Sequence, residues 1–231
     1  MRLSKRAEAI QQSITLAITS KAKEMKENGV DVISFSAGEP DFNTPDNIIQ
    51  AAIDAMRNGY TKYTATSGIL PLRKAICEKF KNDNELEYNP NQIVVSTGAK
   101  QSLANTFLAI LNEGDEVIVS TPYWVTYPEL ISLAGGVPVY FNGDKQNGYK
   151  YTKEGLEKLI SKNTKAILLN SPNNPTGSVY SEDELKDIAA LAEKYNLLII
   201  SDEMYEKLVY GGEKHVSIAS ISKDAYERTI V

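Results

Sequence analysis

Three side chains of different chemistry stand beside turn-forming residues in this sequence. Asn174 lies in Ser171-Pro172-Asn173-Asn174-Pro175-Thr176-Gly177, and Asp202 and Tyr205 lie in Ser201-Asp202-Glu203-Met204-Tyr205. An amide, a carboxylate and a phenol together suit a planar ring that carries both a nitrogen and an oxygen. A carboxylate in a low-dielectric site keeps a ring nitrogen protonated, because each charge favours the other. An amide and a phenol can both donate to a ring oxygen. Pyridoxal phosphate is one ligand with such a ring, and Asp is a usual partner of its pyridinium nitrogen. A metal ion is the rival reading. It is disfavoured because Asp202 and Glu203 are adjacent on an extended stretch and point to opposite faces.

These residues need elements to hold them. Lys165–Asn170 is a short apolar run that reads as a buried strand. The prolines and glycine that follow stop it. Ser181, with Glu184 three residues on, forms a capping box for a helix over Glu182–Tyr195. A second strand, Leu197–Ile200, then delivers Ser201 and Asp202. A strand-helix-strand unit makes the two strands parallel, with their C-terminal ends on one edge. Open α/β sheets bind ligands at that edge. Asn174, Asp202 and Tyr205 are therefore expected around one crevice.

The same pattern recurs earlier. Gln92–Ser96 reads as a strand and Ala99–Leu111 as a helix, joined by Thr97-Gly98-Ala99-Lys100. A strand turning through glycine into a helix start is an anion site, since free amides and the helix dipole face the ligand. Backbone amides at Gly98, Ala99 and Lys100 suit a phosphate. Glu116–Ser120 reads as a strand that places Thr121-Pro122-Tyr123-Trp124 at its C-terminal end. Trp124, the only tryptophan, is either a flat face for a heteroaromatic ring or a core aromatic. Val137–Phe141 and Thr152–Ile160 continue the alternation, which is the doubly wound α/β pattern. Upstream, helices are expected over Ile18–Asn28, Pro45–Asn58 and Leu70–Phe80, and a strand over Val30–Phe35. Cys77 reads as a core position, and Glu227–Val231 as the start of another strand. Tyr140, Tyr149, Tyr151, Tyr180 and Tyr210 read as surface or packing residues.

The 231 residues are 42% hydrophobic and 24% charged, which suits a globular chain with a sizeable core. A net charge of −5 and a pI near 5.1 argue against nucleic-acid binding. The single cysteine allows no internal disulfide, and Met1–Ile10 holds no apolar run long enough for a signal peptide or a membrane span. Both fit a cytoplasmic protein. Ser220-Ile221-Ser222-Lys223 matches a Ser-x-x-Lys pattern, but in a loop-like stretch without the companion motifs of that class. His215, the only histidine, has no nucleophile in a recognisable frame.

Several ordered motifs together resemble the class I aminotransferases of fold type I, most closely the bacterial-type aspartate aminotransferases. They are SPNNPTG from Ser171, SDEMYEKLVY from Ser201, Phe35-Ser36-Ala37-Gly38-Glu39-Pro40-Asp41-Phe42, Thr61-Lys62-Tyr63, Ser96-Thr97-Gly98-Ala99-Lys100-Gln101 and Thr121-Pro122-Tyr123-Trp124. The resemblance implies a fold-type-I large domain over residues 46–231, incomplete at its C-terminus, and an N-terminal arm with part of a small domain over residues 1–45. It implies pyridoxal phosphate as cofactor, with Asp202 at the pyridinium nitrogen and Asn174 and Tyr205 at the ring oxygen. Trp124 would stack on the ring, and Gly98, Ala99 and Lys100 would hold the phosphate. Gly38 would approach the substrate carboxylate through its backbone amide, and Tyr63 would reach the phosphate of a homodimer partner. Lys100 would either neutralise phosphate or meet the distal carboxylate of an acidic substrate. Substrate contacts would fall to Gly38, Lys100, Trp124 and Asn174. No lysine here matches the family's Schiff-base position, so little turnover is expected from this chain alone. The implied reaction moves an amino group between an aspartate-like or aromatic amino acid and a 2-oxo acid. A β- or γ-lyase, or a chain that binds the cofactor without catalysis, stays open.

Overall fold

The structure is a computed structural model that describes residues 3–10, 14–36 and 38–231. Its contacts divide the chain into two units, residues 11–69 and residues 1–10 with 70–231. Among its described residues the first unit holds two helices, α2 (Ile14–Glu27) and α3 (Asp46–Arg57); α1 (Lys5–Ala9) belongs to the other unit. Gly29 and Gly59 follow α2 and α3 with φ of 77° and 81°, the left-handed stop that glycine adopts without a Cβ penalty. Val30–Phe35, expected as a strand, forms none. No ladder partner lies beside it among the described residues, and extended backbone becomes a strand only when a neighbour takes its hydrogen bonds.

The second unit is built on a parallel sheet. Its strands are β1 (Glu116–Thr121), β2 (Val137–Asn142), β3 (Thr164–Asn170), β4 (Leu198–Asp202) and β5 (Thr229–Ile230), in the order β2-β1-β3-β4-β5. The helices are α4 (Leu70–Asn84), α5 (Ala99–Ile110), α6 (Thr126–Leu133), α7 (Lys153–Leu159), α8 (Glu182–Tyr195) and α9 (Lys223–Arg228). Alternate strand residues feed two cores. Ile118, Ile167, Leu169 and Ile199 pack with Leu156 of α7 and Leu185 and Ile188 of α8. Val117, Val119, Leu168 and Ile200 pack with Leu103 and Phe107 of α5 and Tyr127 and Ile131 of α6. The period of two along each strand thus places α5 and α6 on one face and α7 and α8 on the other. This is the expected doubly wound arrangement. Tyr151 and Tyr180 prove to be packing residues: the Tyr151 hydroxyl donates to the carbonyl of Leu168 at 2.8 Å, and its backbone N–H donates to the Tyr180 oxygen at 2.8 Å.

Four readings of this unit are corrected. Gln92–Ser96 is not a strand. Pro90–Gln92 is a 3₁₀ turn, and residues 93–96 run on without a ladder, leaving Val94 66% exposed. Lys223 is not in a loop but opens α9, with the Ser222 hydroxyl accepting from the N–H of Ala225 at 3.0 Å. Glu227 and Arg228 finish that helix, so the strand begins only at Thr229. Cys77 is half-buried and not a core residue. Among the described residues no helix is long and apolar enough to cross a membrane.

Candidate active site

The C-terminal ends of β3 and β4 carry the site. Their last residues, Asn170 and Asp202, are cross-strand partners in the parallel register. Asn170 is buried and its side chain faces both ways. Its Nδ2 donates to the backbone carbonyl of Asp202 at 2.9 Å, and its Oδ1 accepts from the backbone N–H of Asn174 at 2.8 Å. The loop is closed by the backbone bonds from Asn173 to Ser178 and from Gly177 to Asn173. The peptide bonds before Pro172 and Pro175 are cis. Asn174 Nδ2 then donates to the Tyr205 hydroxyl at 3.4 Å. Asn174, Asp202 and Tyr205 are therefore joined through Asn170, a residue the sequence reading passed over as ordinary strand.

The carboxylate of Asp202 is held by two donors. Tyr127 Oη donates to Oδ2 at 2.7 Å, and the backbone N–H of Met204 donates to Oδ1 at 3.1 Å. Burial first, and then the Asp202 charge, push the Tyr127 phenol far above its ordinary value, so it keeps its proton. Tyr127 also meets Trp124 edge-on, with ring centroids 5.4 Å apart and planes at 80°. Trp124 is half-buried, packed against the α5/α6 core on one side. Lys100 Nζ lies 5.1 Å from its ring centroid, within cation–π reach. Tyr127 is the second residue that sequence reading missed. Its signal, three residues after Trp124 on a helix start, is too ordinary to mark it.

Gly98 is the N-cap of α5, with φ 81° and ψ 162°. A Cβ there would meet nothing within 4 Å, so the glycine is needed for its backbone conformation and not for room. Its own N–H donates to the carbonyl of Ser96 at 2.9 Å. The first-turn amides of Ala99 and Lys100, which a helix leaves without an intrahelical acceptor, are the donors that face outward. A groove of about 580 Å³ touches this region through Ser96 and Ala99 and runs to Ser201, Asp202 and Met204. Asn174, Tyr205 and Trp124 lie outside its lining. Gly38 and Tyr63 fall in the unit of residues 11–69. Gly38 has open space where a Cβ would stand, and the Tyr63 side chain is fully exposed.

Asp202 and Glu203 do diverge. Glu203 accepts from the hydroxyls of Ser201 and Ser217, at 2.8 and 2.7 Å, and meets His215 Nε2 at 2.9 Å. Glu203, Glu206 and His215 bring ligand-type atoms within 4.8 Å of one another. Glu206 is already paired with Lys79 at 2.5 Å and with Asn84 at 2.9 Å. A cation is in place there, and the cluster holds the Ser217 segment against the end of β4.

Comparison with known proteins shows which family the chain belongs to. The family signature described as aminotransferase class I and II matches residues 30–231. The chain is 57% identical over 229 residues to an aspartate aminotransferase of Bacillus sp. (strain YM-2), covering 99% of this chain and 58% of that protein. It is 53% identical over 231 residues to an aspartate aminotransferase of Bacillus subtilis (strain 168), covering 59% of it. The solved Thermus thermophilus aspartate aminotransferase with maleate superposes with a TM-score of 0.94 at 44% identity, over 99% of this chain and 59% of that one. The chain thus spans under three-fifths of the length of these relatives.

Proposed function

Because the chain belongs to the class I and II aminotransferase family, we propose that it carries the ring-binding part of a pyridoxal-phosphate-dependent aminotransferase. That enzyme would move an amino group between an aspartate-like or aromatic amino acid and a 2-oxo acid. The observation that carries the reading is the bonded path Trp124–Tyr127–Asp202–Asn170–Asn174–Tyr205 on one sheet edge. The donor set fits the cofactor. It offers an anionic carboxylate for a ring N–H, an amide and a phenol for a ring oxygen, an indole face for the ring, and helix-start amides for a phosphate.

When bound, the cofactor supplies the electron sink for carbanion chemistry. The chain's own residues do the holding. Asp202, held at both oxygens by Tyr127 and the Met204 N–H, would accept a hydrogen bond from the ring N–H. Asn174 and Tyr205, already in contact, turn their donors to the ring oxygen. Trp124 covers one face and excludes water from it. Gly98, by its φ, lets the Ala99 and Lys100 amides meet the phosphate. Lys100, cationic and beside Trp124, is placed for the phosphate or for the distal carboxylate of an acidic substrate; maleate in the Thermus relative is such a dicarboxylate. For Gly38 and Tyr63, the substrate-carboxylate and homodimer roles rest on the resemblance, and the full exposure of Tyr63 suits a side chain that reaches a second copy.

The experiment is a titration of the purified chain with pyridoxal phosphate, followed by borohydride reduction and mass spectrometry. A saturable complex that dialyses away and leaves no reduced adduct is expected. No saturable binding would overturn the ring site. A stoichiometric adduct on one lysine would overturn the assignment of purely non-covalent binding roles. Amino transfer is read on a longer chain that carries these residues and the lysine the resemblance implies, with aspartate and a 2-oxo acid. Absence of the product amino acid there would overturn the reaction.

A further inference from the structure

The Asp202 carboxylate faces the site with an orientation that its own strand does not set. A side chain at a strand end is free to turn about two bonds, and an anion at a sheet edge would turn toward water. Here one oxygen is taken by the Met204 N–H and the other by the Tyr127 hydroxyl. The Met204 contact is local, two residues along the chain. The Tyr127 contact comes from another element, α6, which packs beside α5 on one face of the sheet. Tyr127 is 2% exposed and sits in the core formed with Phe107, Ile131, Leu168 and Ile200, so its ring cannot swing. The same ring meets Trp124 edge-on.

We propose that Tyr127 is a positioning residue that sets the Asp202 carboxylate in register with the Trp124 face as the partner of a protonated ring nitrogen. This inference rests on the ring-binding reading of Asp202. The chemistry needs a donor that never gives up its proton. A hydrogen bond to the charged form of a carboxylate favours that form. A phenolate in its place would repel the carboxylate and offer it no hydrogen bond. Burial and the neighbouring carboxylate hold the phenol neutral, so its hydroxyl stays a donor. Each carboxylate oxygen carries further lone-pair capacity after one bond, which leaves room for the ring N–H. The geometry also ties two contacts to one rigid group. Tyr127 touches both the carboxylate and the indole, so one side chain links the stacking plane to the nitrogen's partner.

The test uses pyridoxal phosphate labelled with ¹⁵N in the ring, bound to the wild-type chain, to Y127F and to D202N. The ring ¹⁵N shift reports protonation directly. Wild type should hold the ring nitrogen in the pyridinium range. D202N should move it to the neutral range. Y127F, which keeps the aromatic ring and loses only the hydroxyl, should move it part of the way and weaken binding by about tenfold, the effect of one hydrogen bond to a charged group. A Y127F shift and affinity equal to wild type, with D202N displaced, would overturn the role of Tyr127 and leave the ring site standing. A D202N shift equal to wild type, or no binding by wild type, would overturn the ring reading and this inference with it. Should Y127F not fold, wild-type protein with ¹³Cζ-labelled tyrosine gives a second measurement. The Tyr127 Cζ signal should move on saturation with the cofactor, and an unmoved signal would overturn the proposal.

Discussion

Asn170 and Asp202 end adjacent parallel strands, and the side-chain amide of Asn170 donates to the backbone carbonyl of Asp202 at 2.9 Å. The other end of that amide accepts the Asn174 N–H at 2.8 Å. One buried side chain therefore spaces the proline-rich loop from the tip of β4. Asn170→Ala removes both bonds. Unfolding by urea should show a loss on the order of 1–3 kcal/mol, two hydrogen bonds at about 0.5–1.5 kcal/mol each. Cofactor binding should weaken as well, because the loop carrying Asn174 loses its anchor. An unchanged midpoint would show that the loop is held by its other bonds.

Gly98 is committed to a backbone conformation that only glycine adopts readily. Gly98→Ala should cost on the order of 1–3 kcal/mol of stability, the usual cost of such strain. It should also weaken binding of pyridoxal phosphate while leaving binding of pyridoxal, which lacks the phosphate, little changed. Equal losses for the two ligands, measured side by side, would remove the anion from the start of α5.

Glu184 closes the capping box of α8 and pairs with Lys150 at 2.6 Å. Burial alone would raise its carboxyl, but hydrogen bonds from Lys150 and Ser181 outweigh this and hold it below its ordinary value of 4.5. A folded-state value below the unfolded one gives stability that is present above pH 4.5 and is lost as pH falls through the folded value. Glu184→Gln keeps the cap geometry and loses the charge. The stability gap between wild type and this variant should be open at pH 7 and should close on acidification below 4.5. A gap that is constant with pH would assign the stability of this corner to packing alone.

Much of the sheet was legible because its central strands β1, β3 and β4 are buried on both faces. Continuous apolar runs such as Lys165–Asn170 and Glu116–Ser120 announce themselves, and β3 and β1 follow them within a residue at either end. Gln92–Ser96 has the same composition and fails, because a strand is a pairing and not a property of five residues. That Asn174, Asp202 and Tyr205 gather at one sheet edge was legible from spacing. Tyr127 and Asn170 were not. Each is a common residue in a common element, and its role appears only when β1, β3 and β4 are aligned so that their ends meet. Whether Gly98 or Gly38 needed its missing side chain was also beyond sequence. In both cases the space a Cβ would fill is open.

Trp124 is the single tryptophan of the chain, so its fluorescence reads the proposed stacking without a label. Pyridoxal phosphate titrated into the purified chain should quench Trp124 along a saturable curve. In Asp202→Asn the curve should shift to concentrations about tenfold to a hundredfold higher, the loss of one charge-assisted bond. A linear, unsaturable quench in wild type, or superimposable curves for the two proteins, would contradict a ring held between Trp124 and Asp202.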